Sequence, residues 1–165
     1  MDLPGSQWYL ARMSVRVLRL SEEPIGILVM GPHGRLWSML NERITLEDLP
    51  DPDSLLSSPA FVNLTATALS MAKIHVIAVH PDQQNRGHGR RLLREAVRIG
   101  GVDGVTMLYG QFDSHRHHLR QFYMGGGFEV LEAGAPLSLY PATGKAEDVM
   151  VPQPTETYFY TRPRQ

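Results

Sequence analysis

The residues Gln84-Asn85-Arg86-Gly87-His88-Gly89 carry the plainest chemical potential in this chain. Glycine at 87 and 89 allows backbone conformations closed to residues with a β-carbon, so several N–H groups can converge on one anion. A helix starting just beyond adds its own unpaired N–H groups and the positive end of its macrodipole. A phosphorylated ligand is the natural guest. Glycines also sit in loops for steric reasons alone, so the loop by itself leaves both readings open. Two familiar phosphate loops are excluded, because no Gly-Lys-Ser/Thr ending follows and position 92 is Leu where a dinucleotide fingerprint has its third glycine.

Two side chains near this stretch could move protons. His75 has an unperturbed pKa close to working pH, which suits a general base, while a buried histidine satisfied by a backbone carbonyl is the equal alternative. Tyr123 lies in Phe122-Tyr123-Met124-Gly125-Gly126-Gly127-Phe128, which on its own reads as a helix with core aromatics and a glycine stop.

The elements that must position these groups follow from periodicity. Lys73 to Val79 reads as a strand buried on both faces and stopped by Pro81. Leu92, Leu93, Ala96 and Val97 repeat at helical spacing opposite Arg90, Arg91, Arg94 and Arg98, and Gly100-Gly101 closes that helix. Asp103-Gly104 turns the chain into a strand at Val105 to Tyr109, which gives a parallel strand-helix-strand unit with a right-handed crossover. Asp113 or Ser114 caps a helix reaching Met124, with Leu119, Phe122 and Tyr123 on its apolar side, and Phe128 to Leu131 is a strand.

Earlier in the chain, Val15 to Leu20, Ile25 to Met30 and Leu36 to Leu40 read as an antiparallel meander. Asp51-Pro52-Asp53-Ser54 and Ser58-Pro59 are helix starts, the second opening a helix with Phe61, Leu64, Thr65, Ala68 and Leu69 on one face, ending near Met71. Ala133 to Thr155 is a long connection with a strand near Leu137 to Tyr140, and Thr157 to Thr161 is a final strand.

The loop, with its preceding Val-His-Pro and following Arg-Arg-Leu-Leu, resembles the Q/R-x-x-G-x-G/A loop of the GNAT superfamily of acyl-CoA-dependent N-acetyltransferases. Phe122 to Phe128 is similar to the F-Y-x-x-x-G-F element that the family carries one strand and one helix later. The resemblance covers roughly Lys73 to Phe128. It implies a mixed α/β fold, a mostly antiparallel central sheet with helices on both faces and one parallel strand-helix-strand unit bearing the pyrophosphate loop. It also implies acetyl-CoA as co-substrate, with Gln84, Asn85, Arg86, Gly87, His88, Gly89 and Arg90 at the pyrophosphate, Ile77 at the thioester and the Val79 N–H facing its oxygen. Tyr123 would protonate the departing thiolate, a role suited to a phenol that keeps its proton at neutral pH.

The strand Ile74-His75-Val76-Ile77-Ala78-Val79-His80 looks like the cofactor strand of arylalkylamine N-acetyltransferases, where a histidine at the position of His75 helps to take the amine proton. At about 3.3 Å of rise per residue, His75 lies roughly 7 Å from Ile77, which points to a water relay. Glu42, Glu47, Asp48 and Asp113 are alternative bases. The chain departs from the family at Arg116, a candidate cofactor-binding residue where many relatives have a cofactor-contacting Asn, so that contact is either lost or replaced by an arginine interaction with phosphate. It departs again between its first two strands, where the family places two helices and only a tight turn fits.

The whole chain is consistent with one domain spanning 1–165, with residues 1–12 as a flexible tail. Net charge of −1 and pI near 6.6 give no field favouring nucleic acid, and no apolar run is long enough to span a membrane. The absence of cysteine excludes a disulfide framework and a Cys acyl-enzyme route, and suits the cytoplasm. His115, His117 and His118 lack acidic or Cys partners at ligand spacing, so no metal is expected. The methionines at 30, 39, 71, 107 and 124 read as core filler, and Tyr140, Tyr158 and Tyr160 are expected to pack the sheet, with the lining of an acceptor pocket as the alternative. The expected activity is acetyl transfer to a small-molecule primary amine, with a peptide or protein amine, or a non-catalytic acyl-CoA sensor, as alternatives. A homodimer through the final strand is also kept open.

Overall fold

The computed structural model describes residues 13–32, 34 and 59–163. Alternating apolar residues form β1 (Ser14–Leu20) and β2 (Glu23–Gly31), an antiparallel hairpin whose turn places Ser21 at φ 54°. Four further strands complete a sheet: β3 (Met71–Val79), β4 (Met107–Asp113), β5 (Glu129–Val130) and, at the end of the chain, β8 (Glu156–Thr161). Their spatial order is β1-β2-β3-β4-β8-β5, antiparallel except for the β3–β4 pair. The second edge of β2 is therefore occupied by β3, the place that the expected meander gives to Leu36 to Leu40. That segment, the helix start at Asp51 to Ser54, the side chains of Phe61, Leu64 and Thr65, and residues 1–12 lie outside the described residues.

Helices cover both faces. On one face α2 (His88–Val102) and α3 (His117–Met124) place Leu92, Leu93, Ala96, Ile99 and Tyr123 against Leu28, Met30, Ala72, Ile74, Phe112 and Phe159 of the strands. On the other, Ala68 of α1 (Pro59–Ser70) joins Met71, Met107, Tyr109 and Tyr158. This second core is closed by Leu137 of β6 (Leu137–Ser138), Leu139 ahead of α4 (Tyr140–Thr143) and Met150 of β7 (Val149–Met150). The strand expected near Leu137 to Tyr140 thus shortens to β6 and pairs with β7 as a two-strand ribbon within the connection from Ala133 to Thr155.

Several expected boundaries shift for physical reasons. Gly100 and Gly101 lie inside α2, which runs on to Val102 and stops at Gly104, where φ is 69°. Gly100 is a contact glycine instead, since a β-carbon there would lie 3.2 Å from Pro163. Asp113 and Ser114 do not cap α3, whose N-cap is Arg116; Asp113 accepts the His115 N–H in the preceding turn. The strand expected at Val105 to Tyr109 runs from Met107 to Asp113, and that expected at Phe128 to Leu131 shortens to Glu129–Val130. Leu69, Met124 and Tyr140, expected in the core, are exposed. β8 is an interior strand with β4 on one side and β5 on the other, so a dimer contact there would have to use side chains and not an open strand edge.

The narrowest fit in the sheet lies at Gly110 of β4, where a β-carbon would run into the Phe159 ring. Overpacking of this kind costs about 1–3 kcal/mol. Gly110→Ala is therefore expected to lower the denaturant midpoint by that order with an unchanged m-value, and an unchanged midpoint would show that the Phe159 ring can yield.

Candidate active site

β3 and β4 pair over only three positions, Met71 with Met107, Ala72 with Leu108 and Lys73 with Tyr109. Beyond them β3 continues to pair with β2, and β4 with β8, while the two strands themselves part. A bulge helps to turn β3 away. Ile74 faces Met30 and Val76 faces Val29, which leaves His75 as the extra residue, and such an insertion bends a strand and increases its twist. It also reverses the side-chain alternation: Ala72 and Ile74 enter the core beneath α2, and after the bulge Ile77 and Val79 do so. β3 is accordingly not buried on both faces, and Val76 is 42% exposed.

Strand geometry fixes what lines the gap. The His80 N–H donates to Ile25 O on the β2 side at 2.8 Å. Because successive peptide groups point to opposite edges, the N–H and C=O groups of Ile77 and Val79 face the gap, where no described strand pairs with them. The Val79 carbonyl receives the Gln84 side-chain amide, Nε2 to O 3.1 Å.

The glycine loop opens at the same end of the sheet, where ligands of parallel strand units bind. Pro81–Gln83 forms a 3-10 turn, Asn85 and Gly87 take φ of 58° and 83°, and α2 begins at His88. The first helical bond is Arg91 N–H to Gly87 O, 3.0 Å, so the N–H groups of His88, Gly89 and Arg90 have no partner within the helix. Asn85, Arg86 and Gly87 are exposed beside them. Gly89 does not have positive φ. Its lack of a side chain makes room for Phe122, 3.1 Å from where a β-carbon would sit. Gly126 likewise clears Leu93, and Arg90 Nη2 lies 3.4 Å from the β-carbon position of Gly125. The loop helix and the aromatic motif, 33 residues apart between Gly89 and Phe122, thus form one packed body.

Tyr123 is 7% exposed, with its ring stacked on Phe159 at 3.6 Å between centroids and facing Phe112 at 5.6 Å. Burial pushes its phenol up to about 12, and its hydroxyl makes no hydrogen bond among the described residues. It remains protonated at neutral pH and able to donate. His75 Nε2 lies 3.0 Å from Pro32 O, and because a carbonyl only accepts, the ring donates there. Burial lowers its pKa, the backbone hydrogen bonds to Pro32 and Gly31 oppose that, and the Lys73 charge lowers it further. The imidazole is therefore neutral at working pH.

Arg116 is the exposed N-cap of α3, and its side chain makes no hydrogen bond or ion pair among the described residues. Asp113 ends β4 and is exposed, while Glu42, Glu47 and Asp48 lie outside the described residues. His115, His117 and His118 are exposed, and no group of metal-ligating residues occurs among the described residues.

A polar chain crosses the sheet where the strands part. Lys73 Nζ donates to Gln111 Oε1 at 3.1 Å, Gln111 Nε2 to Glu156 Oε1 at 2.6 Å, and the Gln153 N–H to Glu156 Oε2 at 3.0 Å. Burial lowers the Lys73 pKa and the Glu156 charge partly restores it. Sequence reasoning passed over this chain, whose links span 38 and 45 residues and carry no motif.

Residues 55–130 match the sequence model of the acetyltransferase (GNAT) domain. No curated protein sequence matches the chain. The Bacillus subtilis acetyltransferase solved with CoA is similar in fold, 15% identical with a TM-score of 0.54 over 93% of this chain and 78% of that one. A GNAT family acetyltransferase from Elizabethkingia anophelis with acetyl-CoA bound is 14% identical, with a TM-score of 0.55 over the same shares, 93% and 78%. A ribosomal-protein alanine N-acetyltransferase from Escherichia coli is 15% identical, with a TM-score of 0.53 over 93% and 71%. At these identities the likeness is one of fold.

Gln111 is the joint of the polar chain, so Gln111→Leu leaves two half-buried charged groups without their shared amide. The expected loss is about 1–3 kcal/mol in chemical denaturation, and a loss indistinguishable from zero would show that water replaces the amide at no cost.

Proposed function

We propose that the chain is an acetyltransferase of the GNAT superfamily, whose domain model residues 55–130 match, and that it moves an acetyl group from acetyl-CoA to the primary amine of a small molecule by direct attack. The observation that carries this reading is the parting of β3 and β4 after Lys73, beside an anion loop at the same end of the sheet. A pantetheine-like chain is polar along its length and needs backbone partners, which the open edge of β3 offers at Ile77 and Val79. A pyrophosphate needs converging donors, which Asn85 to Arg90 offer. Related folds with CoA or acetyl-CoA bound are consistent with such a ligand.

Four groups then divide the chemistry. The amine nitrogen attacks the thioester carbon, and the Val79 N–H donates to the carbonyl oxygen as negative charge develops there. His75 takes the amine proton through a water, with its ring oriented by the hydrogen bond from Nε2 to Pro32 O. As the tetrahedral adduct collapses, the C–S bond breaks and the Tyr123 hydroxyl gives its proton to the leaving sulfur. A phenol held near 12 is a weaker acid than an ordinary thiol at about 8.5, so Tyr123 acts by hydrogen-bonding to the sulfur as charge forms there, and the proton passes as the C–S bond breaks. Arg86 and Arg90 supplement the backbone amides at the pyrophosphate, with the Arg90 guanidinium lying beside Gly125. The choice of a small amine rests on the likeness of the His75 strand to that of arylalkylamine N-acetyltransferases.

Thermal protection by acetyl-CoA, calorimetric binding, and thiol release with a panel of pooled amines test the reading together. Binding with turnover on a small amine is expected; binding without turnover on any amine would mark a sensor, and no binding would end the proposal. Tyr123→Phe is expected to lower kcat by about 10–100-fold with little change in acetyl-CoA affinity, and the reverse pattern would remove Tyr123 as the acid. Because the pKa of His75 is held below its ordinary value, its base form is lost only as pH falls below the usual histidine range. The acidic limb of kcat/KM should therefore lie below about 6.5 and vanish in His75→Ala; a limb that survives would remove His75 as the base.

A further inference from the structure

Gln84 is the residue whose geometry departs most from the role that the loop resemblance implies. It is exposed at the start of the loop, where its side chain would be expected to turn outward to a phosphate. It turns back instead, and Nε2 meets Val79 O at 3.1 Å, five residues earlier. A carbonyl only accepts, so the NH2 side of the amide must face it.

That carbonyl belongs to the peptide joining Val79 to His80, whose N–H is bonded to Ile25 O of β2 at 2.8 Å. The peptide is thus held from both sides, by β2 through its N–H and by Gln84 through its C=O. The turn supporting Gln84 is itself tied down. Its own N–H donates to Pro81 O at 3.2 Å, the Gln83 N–H to His80 O at 2.9 Å and the Asp82 N–H to His80 Nδ1 at 3.3 Å. Beyond Lys73 the gap-facing edge of β3 has no described strand to hold it in plane. Gln84 is the side chain that does so at the end of the strand.

We propose that Gln84 is a positioning residue, fixing the last peptide of β3 so that the adjacent Val79 N–H points into the gap, and linking the order of the anion loop to the aim of that donor. The inference rests on the acetyltransferase reading for its catalytic consequence, though the peptide anchor stands without it. A ligand that settles the loop would also tighten the Val79 donor, and a loop displaced by substitution would loosen it.

The test compares Gln84→Ala, Gln84→Glu, which keeps the shape but replaces the donor with a repelling carboxylate, and Gln84→Arg, which keeps N–H donors within reach. Hydrogen–deuterium exchange at the His80 amide in the ligand-free protein reads the anchor directly. It should quicken by about 3–10-fold in the Ala and Glu variants and stay near wild type with Arg. CoA affinity by calorimetry should stay within about twofold in all three, while turnover falls about tenfold in Ala and Glu and recovers with Arg. Unchanged exchange at His80 overturns the inference even in an active enzyme. So does CoA affinity that falls as far as turnover, which would make Gln84 a phosphate ligand. If the wild type transfers acetyl to no amine, the acetyltransferase reading fails, and exchange at His80 still decides whether Gln84 holds the strand.

Discussion

The arrangement depends on a pairing that stops early. Parallel strands joined through a helix normally continue side by side, and each unmade ladder bond leaves polar groups that must find water or a ligand. Here β3 and β4 exchange partners for three positions and then separate, each held on its outer side by another strand. The separation is tolerable because both strands stay anchored, and it produces an open backbone edge that a flexible amide-bearing chain can complete. The His75 bulge, the Gln84 anchor and the Lys73–Gln111–Glu156 chain all lie where the strands part, and each controls a different part of the opening.

The loop and the aromatic motif meet through absent side chains. Gly89 admits Phe122, and Gly126 admits Leu93, so α3 lies directly on the first turns of α2. This contact brings Tyr123, within an aromatic stack with Phe112 and Phe159, into the same body as the N–H groups left unpaired at the start of α2. Two glycines that read as backbone freedom and as a helix stop act in the fold as clearance. Their effect is to couple a candidate acid to a candidate cofactor site over 33 residues of sequence.

Much of this was legible in the residues. The Lys73 to Arg98 stretch declared its strand, its glycine loop and its amphipathic helix because period-two and period-3.6 patterns abut there, and Thr157 to Thr161 declared itself by β-propensity. What escaped had no local signal. The bulge at His75 is marked by no glycine or proline, since it arises from register against β2. The chain through Gln111 joins three strands distant in sequence. That β3 is the second neighbour of β2 carries no local signal, because the two strands are far apart in sequence. Gly100-Gly101 misled because a helix packed against Pro163 tolerates glycine for contact.

The central claim is that one ligand occupies both the open edge of β3 and the loop ahead of α2. Amide hydrogen exchange with and without CoA tests it most directly. The account predicts that CoA protects the Ile77 and Val79 amides together with those of Asn85 to Arg90. Protection confined to the loop, or spread over neither segment, would contradict it.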